Sequence, residues 1–440
     1  MDTDRYWNPI LETLPRDRLE KLQLRRFREA MAWAMDHSPL YARMYREAGV
    51  HPEHIVTLDD VRRVPLVSKE DLRLAQQDKQ PFPYGDVLGV PPDEVSVMHQ
   101  TAGTTGKPLY VPDTYESWQE LAEMWCYILY GMGFRRRDRI FMPFGYGIYI
   151  AYWMGHYAAE KLGCEVVPGG SMDARARISK IAEIRATGLM NTPTYGLRLA
   201  EVAREMGIDP VRDLPVRKML CAGEPMPEPT RVELERQWGA DVYDHIGAAE
   251  AGAWAAMCTE KHGLHVLEPF YLLEVLDLET LSQPVAPGEK GIAVITAFGR
   301  RSIPCIRYNL KDVVTLSQRD CPCGRTSRLI ETPRGRADHL TKISGALFNP
   351  VAVEETIRGG FPEIAEFETV ADRPANQDEL LVKIEVKSPP GQSSDGTARR
   401  LAEGLKLKTG LTFRVEVVPA QTLPRYELKA ARFKDIRRHA

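Results

Sequence analysis

Nowhere in the 440 residues is there an unbroken apolar run approaching the roughly 18 residues that a membrane-spanning helix needs. Charge of one sign is also lacking. A formal net charge of -3 argues against bulk binding to nucleic acid or an anionic membrane, so neither is expected as a partner. Cysteine is sparse and odd in number, seven in all, which excludes a disulfide framework. The opening Met1-Asp-Thr-Asp-Arg-Tyr lacks the basic-then-apolar plan of a signal peptide, and a cytoplasmic location is expected. No internal repeat is found. What is present is ordinary for a globular protein: 43% hydrophobic and 27% charged residues, with a length that suggests two or three domains.

One stretch stands out. Thr101-Ala-Gly-Thr-Thr-Gly-Lys-Pro-Leu lies between two runs of strand-forming residues, Val95-Ser-Val-Met and Leu109-Tyr-Val-Pro. Gly103 and Gly106 carry no side chain, so backbone N–H groups can curl around an anion. Thr101, Thr104 and Thr105 add hydroxyl donors, and Lys107 adds a charge suited to phosphate. The P-loop of nucleotide triphosphatases is excluded, because Pro108 follows Lys107 where that motif needs Ser or Thr and a helix.

Around this loop the chain alternates. Leu19, Leu22, Leu24, Phe27, Met31 and Met35 recur at helical spacing, and a helix is expected over 16–48. Ser68-Lys-Glu-Asp-Leu reads as an N-capped helix start, and 114–131 as a helix after the glycine loop. Strands are expected at 139–143, 165–168, 188–192, 218–222 and 241–245, with helices at 149–162, 179–187, 194–206 and 229–238 between them. That alternation predicts an α/β fold: a mostly parallel sheet flanked by helices. From Phe270 the pattern turns to antiparallel strands, a smaller barrel-like part. A boundary is expected near 336–340, dividing a domain of 1–336 from a small α+β domain of 337–440.

Several polar elements fit one chemistry. Cys221-Ala-Gly-Glu-Pro ends a strand, where open α/β sheets bind ligands. Ile246-Gly-Ala-Ala-Glu follows the next, and Glu250 suits Mg²⁺ held against phosphate oxygens. Asp312 could accept hydrogen bonds from ribose hydroxyls, and Lys429 lies on a loop near the C-terminus.

In order and spacing, the glycine loop, Ala222-Gly-Glu, Gly247 to Glu250, Tyr308 to Asp312, Gly335-Arg-Ala-Asp, Ser344-Gly and Pro424 to Lys429 resemble the adenylate-forming enzymes. More narrowly, with Ser38-Pro-Leu-Tyr, 58–72 and Phe144-Gly-Tyr-Gly, they resemble the phenylacetate–coenzyme A ligase family over nearly the whole chain. The resemblance implies a two-step ligase. ATP and a carboxylic acid give an acyl-adenylate and pyrophosphate; the thiol of coenzyme A then displaces AMP. It implies that Thr104, Thr105 and Lys107 surround the β- and γ-phosphates, with Thr101, Gly103 and Gly106 completing the loop. Ala222, Gly223, Glu224, Ile246, Gly247 and Ala248 would border the nucleotide, and Asp312 would grip its ribose. Glu250 would hold Mg²⁺, and Lys429 would bridge the carboxylate and α-phosphate oxygens. The small domain, mobile about Arg336 and Asp338, would swing for the second step, with Gly345 passing the pantetheine arm. The acid pocket would be lined by Tyr146, Gly147, Tyr149 and Trp153, suiting an aryl or arylacetic acid such as phenylacetate; His156 could bond a ring substituent. A homodimer is also implied.

Two departures from the family pattern are visible. Ile246 stands where an aromatic residue is usual, and Ala249 where Ser or Thr is usual. Two other readings therefore stand beside the ligase: adenylyl or acyl transfer to another acceptor, a deazaflavin cofactor or a carrier protein, and a non-catalytic nucleotide-binding protein. Separately, Cys321-Pro-Cys-Gly with Cys258 and His265 supplies three thiols and an imidazole, the ligand types of a structural Zn²⁺ site; Cys321 and Cys323 would be two of its four ligands, and His262 competes for the fourth position.

Overall fold

A computed structural model describes residues 3–101, 108–148, 150–331, 335, 340–343, 346–374, 377–387, 395–426 and 430–437. After a short α1 (Pro9–Glu12), the expected long first helix is two: α2 (Arg16–His37) and α3 (Pro39–Ala48). The break is at Ser38, extended at φ -109 and ψ 114. The ring of Pro39 disfavours helical geometry in the residue before it and supplies no N–H to continue the ladder. Helix α4 (Lys69–Gln76) begins with a capping box: Ser68 Oγ accepts from Asp71 N–H at 3.2 Å and Asp71 Oδ2 accepts from Ser68 N–H at 2.8 Å.

Strands β1 (Val95–Gln100) and β2 (Tyr110–Thr114) form an antiparallel pair on either side of the glycine-rich segment. Thr114 caps α5 (Tyr115–Gly131), its Oγ1 accepting from Ser117 N–H at 3.1 Å. Then follow β3 (Arg139–Met142), α6 (Ile150–Leu162), β4 (Glu165–Pro168), α7 (Ala174–Glu183), β5 (Gly188–Asn191), α8 (Pro193–Glu205), the short α9 (Pro210–Asp213), β6 (Lys218–Cys221), α10 (Glu228–Trp238) and β7 (Asp241–Ala248).

The parallel core runs β4-β3-β5-β6-β7. Beyond β7 the same sheet continues antiparallel through β8 (Gly252–Met257), β9 (Leu264–Val266) and, returning later in the chain, β13 (Leu329–Ile330). A separate antiparallel sheet joins β10 (Tyr271–Leu276), β11 (Lys290–Ala297) and β12 (Cys305–Thr315).

The last part of the chain holds β14 (Thr341–Ile343) paired with β15 (Ala346–Phe348), then α11 (Val351–Gly360), β16 (Ile364–Asp372), β17 (Glu379–Val386), α12 (Asp395–Thr409), β18 (Phe413–Val417) and β19 (Phe433–Asp435). The final four strands make one sheet in the order β18-β17-β16-β19. It has its own apolar core, built on Phe348, Ile357, Phe367, Leu401, Leu405 and Phe413. Two other cores serve the large sheet, one centred on Phe27, Trp118, Trp125 and Trp254, the other on Phe141, Tyr195, Leu234 and Trp238. Among the described residues no helix is long and apolar enough to cross a membrane.

Candidate functional site

The C-terminal ends of β5, β6 and β7 open on one side of the sheet, where a parallel α/β sheet leaves its backbone groups free for ligands. The β1–β2 hairpin closes at its base: Thr101 N–H donates to Leu109 O, and Thr101 Oγ1 accepts from Leu109 N–H, both at 3.0 Å. The remaining loop residues of the sequence reading, Gly103, Thr104, Thr105, Gly106 and Lys107, lie outside the described residues, as do Tyr149, Arg336, Asp338, Gly345 and Lys429.

After β6, Ala222 N–H donates to Asn191 O at 3.0 Å, linking two strand ends, and Gly223 takes φ +90, a conformation natural to glycine. Glu224 follows. Its Oε1 accepts from Thr194 N–H at 2.6 Å and its Oε2 from Ala430 N–H at 2.9 Å, and burial pushes its pKa up. Nearby, Arg432 donates to Thr194 Oγ1 at 3.0 Å while its guanidinium grips Glu366 of β16 at 2.6 and 3.1 Å.

Strand β7 carries Ile246, Gly247 and Ala248 into a tight pairing with β8. A Cβ on Gly247 would meet Ala253 Cα and Gly252 O at 2.9 Å, so only glycine fits there. Ile246, Ala248 and Ala249 are half-buried against the main core. Glu250, 4% exposed, ends this turn. Its Oε1 accepts no hydrogen bond among the described residues and lies 3.6 Å from Lys69 Nζ at the start of α4. A buried carboxylate oxygen left this way is a fit for a cation.

What fixes the turn is Arg300. Its Nε donates to Glu250 O at 3.1 Å and its Nη2 reaches Ala249 O at 3.5 Å, while Nη1 pairs with Asp113 Oδ1 at 2.5 Å. The sequence gives no motif for this pair, and the reading of the residues missed it. Thr194, Lys69 and Arg432 were missed likewise, since nothing but tertiary placement links them to the site.

Asp312 is buried on β12, within a bulge where residues 310–312 oppose one residue of β11 and Lys311 takes φ +61. The bulge re-aims the strand at that point. The aromatic candidates form a cluster. Tyr146 packs on Trp153 with centroids 4.6 Å apart, and Trp153 Nε1 donates to Gly147 O at 2.9 Å. His156 is engaged at both ring nitrogens, with Tyr146 OH at 2.7 Å and Glu160 Oε1 at 3.1 Å. The polar groups of His156 are thus used within the protein, and the Tyr146 hydroxyl is tied up in the same pair.

Away from this mouth, Cys258, His265, Cys321 and Cys323 converge, each with a ligand atom within 4.8 Å of the others and all buried. Cys258 Sγ is 3.6 Å from Cys321 Sγ, and Cys323 Sγ is 3.4 Å from His265 Nε2. His265 Nδ1 meets Ser327 Oγ at 3.1 Å, the kind of outer contact that orients a metal-ligating imidazole. The Cys258 thiol beside it holds Cys323 well below the usual thiol range.

The sequence as a whole defines the class. A profile of AMP-binding enzymes matches residues 29–297, and one of the AMP-binding enzyme C-terminal domain matches residues 345–437. The chain belongs to the AMP-binding enzyme family. Within it, the chain is 31% identical to a phenylacetate–coenzyme A ligase of Thermus thermophilus, over 98% of this chain and all of that one. It is 31% identical to the phenylacetate–coenzyme A ligase of Escherichia coli K12, over 99% of each. Among solved structures, a 2-hydroxyisobutyryl-CoA ligase in the postadenylation state, bound to R3-HIB-AMP, superposes with a TM-score of 0.92 at 28% identity, covering 98% of this chain and 92% of that one. The same ligase in its thioesterification state, with 2-HIB-AMP and CoA, superposes at 0.74, with 28% identity and coverages of 98% and 93%.

Proposed function

We propose that this chain is an AMP-forming acid–thiol ligase that converts an aromatic carboxylic acid to its coenzyme A thioester. The observation that carries the reading is the shared mouth at the ends of β5, β6 and β7. There the buried Glu250 carries an oxygen that accepts no hydrogen bond among the described residues, and Ala430, next in the chain to Lys429, hydrogen-bonds Glu224. In the first step the acid's carboxylate oxygen attacks the α-phosphorus of ATP and pyrophosphate leaves. In the second the thiol sulfur attacks the acyl carbon, AMP leaves, and the thiol proton goes to solvent.

The protein's part is positioning and charge. Thr104, Thr105 and Lys107 hold the β- and γ-phosphates, Asp312 orients the ribose, and Ala222, Gly223, Ile246, Gly247 and Ala248 border the base. Lys429 brings positive charge to where the carboxylate and α-phosphate meet. Glu250 would hold Mg²⁺, which neutralises phosphate charge when bound. Ala249 brings no hydroxyl to the phosphates, and Arg300 fixes the same turn through its carbonyls. The small unit, from about residue 337, turns between the two steps; the higher TM-score against the postadenylation state supports an adenylating arrangement here.

An aromatic acid is supported by the phenylacetate-ligase relatives and by the Tyr146–Trp153 wall. The Cys258, His265, Cys321 and Cys323 cluster fits structural Zn²⁺. Two sulfurs on a tetrahedral zinc stand roughly 3.8 Å apart and a sulfur and a nitrogen about 3.5 Å, from bond lengths near 2.3 and 2.0 Å; the observed 3.6 and 3.4 Å are close. Such an ion would pin the end of β8 and β9 to the segment before β13.

The test is product analysis by mass spectrometry with ATP, a panel of aryl, arylacetic and short hydroxy acids, and coenzyme A present or omitted. The expected products are an aryl-CoA thioester with AMP, and acyl-adenylate alone when the thiol is omitted. Turnover of only an aliphatic hydroxy acid would overturn the aromatic assignment. AMP transferred to another acceptor, or ATP bound without turnover, would overturn the ligase reading.

A further inference from the structure

One joint between the two larger units is built on a carboxylate. A single carboxylate, Glu224, offers one oxygen to a backbone N–H of the large unit, Thr194 at the start of α8, and the other to a backbone N–H of the small unit's tail, Ala430. The small unit's donor in that hydrogen bond is a backbone N–H, so the bond reads position rather than residue identity. Two residues on, Arg432 repeats the crossing. It is anchored to Glu366 of β16 in its own unit and donates across to Thr194 Oγ1 at 3.0 Å. Thr194 is therefore met from both sides, once through its N–H and once through its hydroxyl.

We propose that Glu224 is a positioning residue, the catch of a reversible latch that holds the small unit in the adenylating arrangement. The inference rests on the two-step ligase reading above and adds a residue-level device to it. Ala430 directly follows Lys429, so the covalent link ties whatever the lysine does to the point at which Glu224 holds the tail. A charge-assisted hydrogen bond to a partly buried carboxylate is strong enough to select one arrangement. It is also easily exchanged: on separation the freed oxygen and the freed N–H both regain water, so the small unit can leave for the second step. The Arg432–Glu366 pair stays within the small unit and would travel with it intact.

The experiment uses the full-length chain and its Glu224→Ala and Glu224→Gln variants. Spin labels are introduced through Val232→Cys on α10 and Leu407→Cys on α12, which are 49% and 91% exposed, whereas the seven native cysteines are buried. Distances between the labels, measured without substrate, should show the described arrangement populated in the wild-type background. Its population should fall about fivefold or more in Glu224→Ala and by an intermediate factor in Glu224→Gln. In parallel, adenylation is followed by pyrophosphate release and thioester formation from supplied acyl-adenylate. In Glu224→Ala the adenylation kcat should drop about tenfold with the KM for ATP within about twofold of wild type, and the thioester step should be spared.

An unchanged distance distribution would overturn the latch. So would a raised KM for ATP at constant kcat, the mark of a direct nucleotide contact, or an equal loss in both half-reactions, the mark of a general structural role. If no acid supports adenylation in the wild type, the ligase reading fails, while the distance measurement still decides the latch.

Discussion

Replacing Arg300 with methionine removes a guanidinium whose side chain, like that of its partner Asp113, is 1% exposed. Three contacts go: the 2.5 Å pairing with Asp113, the 3.1 Å bond to Glu250 O and the 3.5 Å bond to Ala249 O. Among the described residues, Asp113 is left in the core with only Ser117 Oγ, 2.8 Å away, to solvate its charge. Breaking a buried pair from one side costs about 3–5 kcal/mol, because the remaining charge has no compensation. Burial already pushes the pKa of Asp113 up, and loss of Arg300 pushes it further.

The sign of the pH dependence follows. A carboxylic acid with a folded pKa above its unfolded value binds protons more tightly in the folded state. Its penalty is absent below the unfolded pKa, near 3.9, and grows as pH rises toward the folded value. Urea unfolding of Arg300→Met, followed by tryptophan fluorescence, should therefore show a larger loss at pH 8 than at pH 5. The double variant Arg300→Met, Asp113→Asn should recover most of it, since neither partner is then a bare buried charge. The Mg²⁺ concentration for half-maximal activity should also rise, because the Glu250 turn has lost its anchor. A loss below about 1 kcal/mol, equal at both pH values, would refute the reasoning.

Lys429→Ala should cripple adenylation and largely spare thioester formation from supplied acyl-adenylate; an equal loss of both would contradict the two-arrangement scheme. About one zinc per chain should be found by metal analysis, and a strong chelator or Cys323→Ala should lower the melting temperature without changing which acid is preferred. No metal and an unchanged melting temperature would remove the zinc assignment. Burial pushes the imidazoles of His99 and His245 down to about 4. Unfolded, each takes up its proton near pH 6.5, so stability is lost as pH falls from about 6.5 toward 4. Substituting both with glutamine should flatten that part of the pH profile of urea midpoints, and an identical slope would refute it.

The parallel core was legible because β3, β5 and β6 are short apolar runs bounded by turn signals, with helices of suitable length between them. The cap at Ser68 was legible for a local reason: the acceptor and donor lie three residues apart. The break at Ser38 was signalled by Pro39, but strong apolar periodicity on both sides masks it.

Other elements left no such trace. Strand β8, Gly252-Ala-Trp-Ala-Ala-Met, is buried on both faces, so it shows no alternation. Strand β19 is three residues long and exists only because β16 lies beside it. At the site the same division holds. Motif residues such as Glu250 and Asp312 announce themselves by their neighbours in sequence, and the zinc-type cluster by its residue types. Arg300, Asp113, Thr194 and Arg432 are polar residues among many, and only the fold brings them to the turn and the tail. His156 shows the converse: read as a candidate for bonding substrate, it is occupied by Tyr146 and Glu160.

The most direct measurement is the acid-dependent exchange of radiolabelled pyrophosphate into ATP, with Mg²⁺ present and coenzyme A left out. Exchange should appear with an aromatic acid, vanish without it, and fall steeply in Lys429→Ala and Glu250→Gln. Binding of ATP with no exchange for any acid would contradict adenylate formation at this mouth.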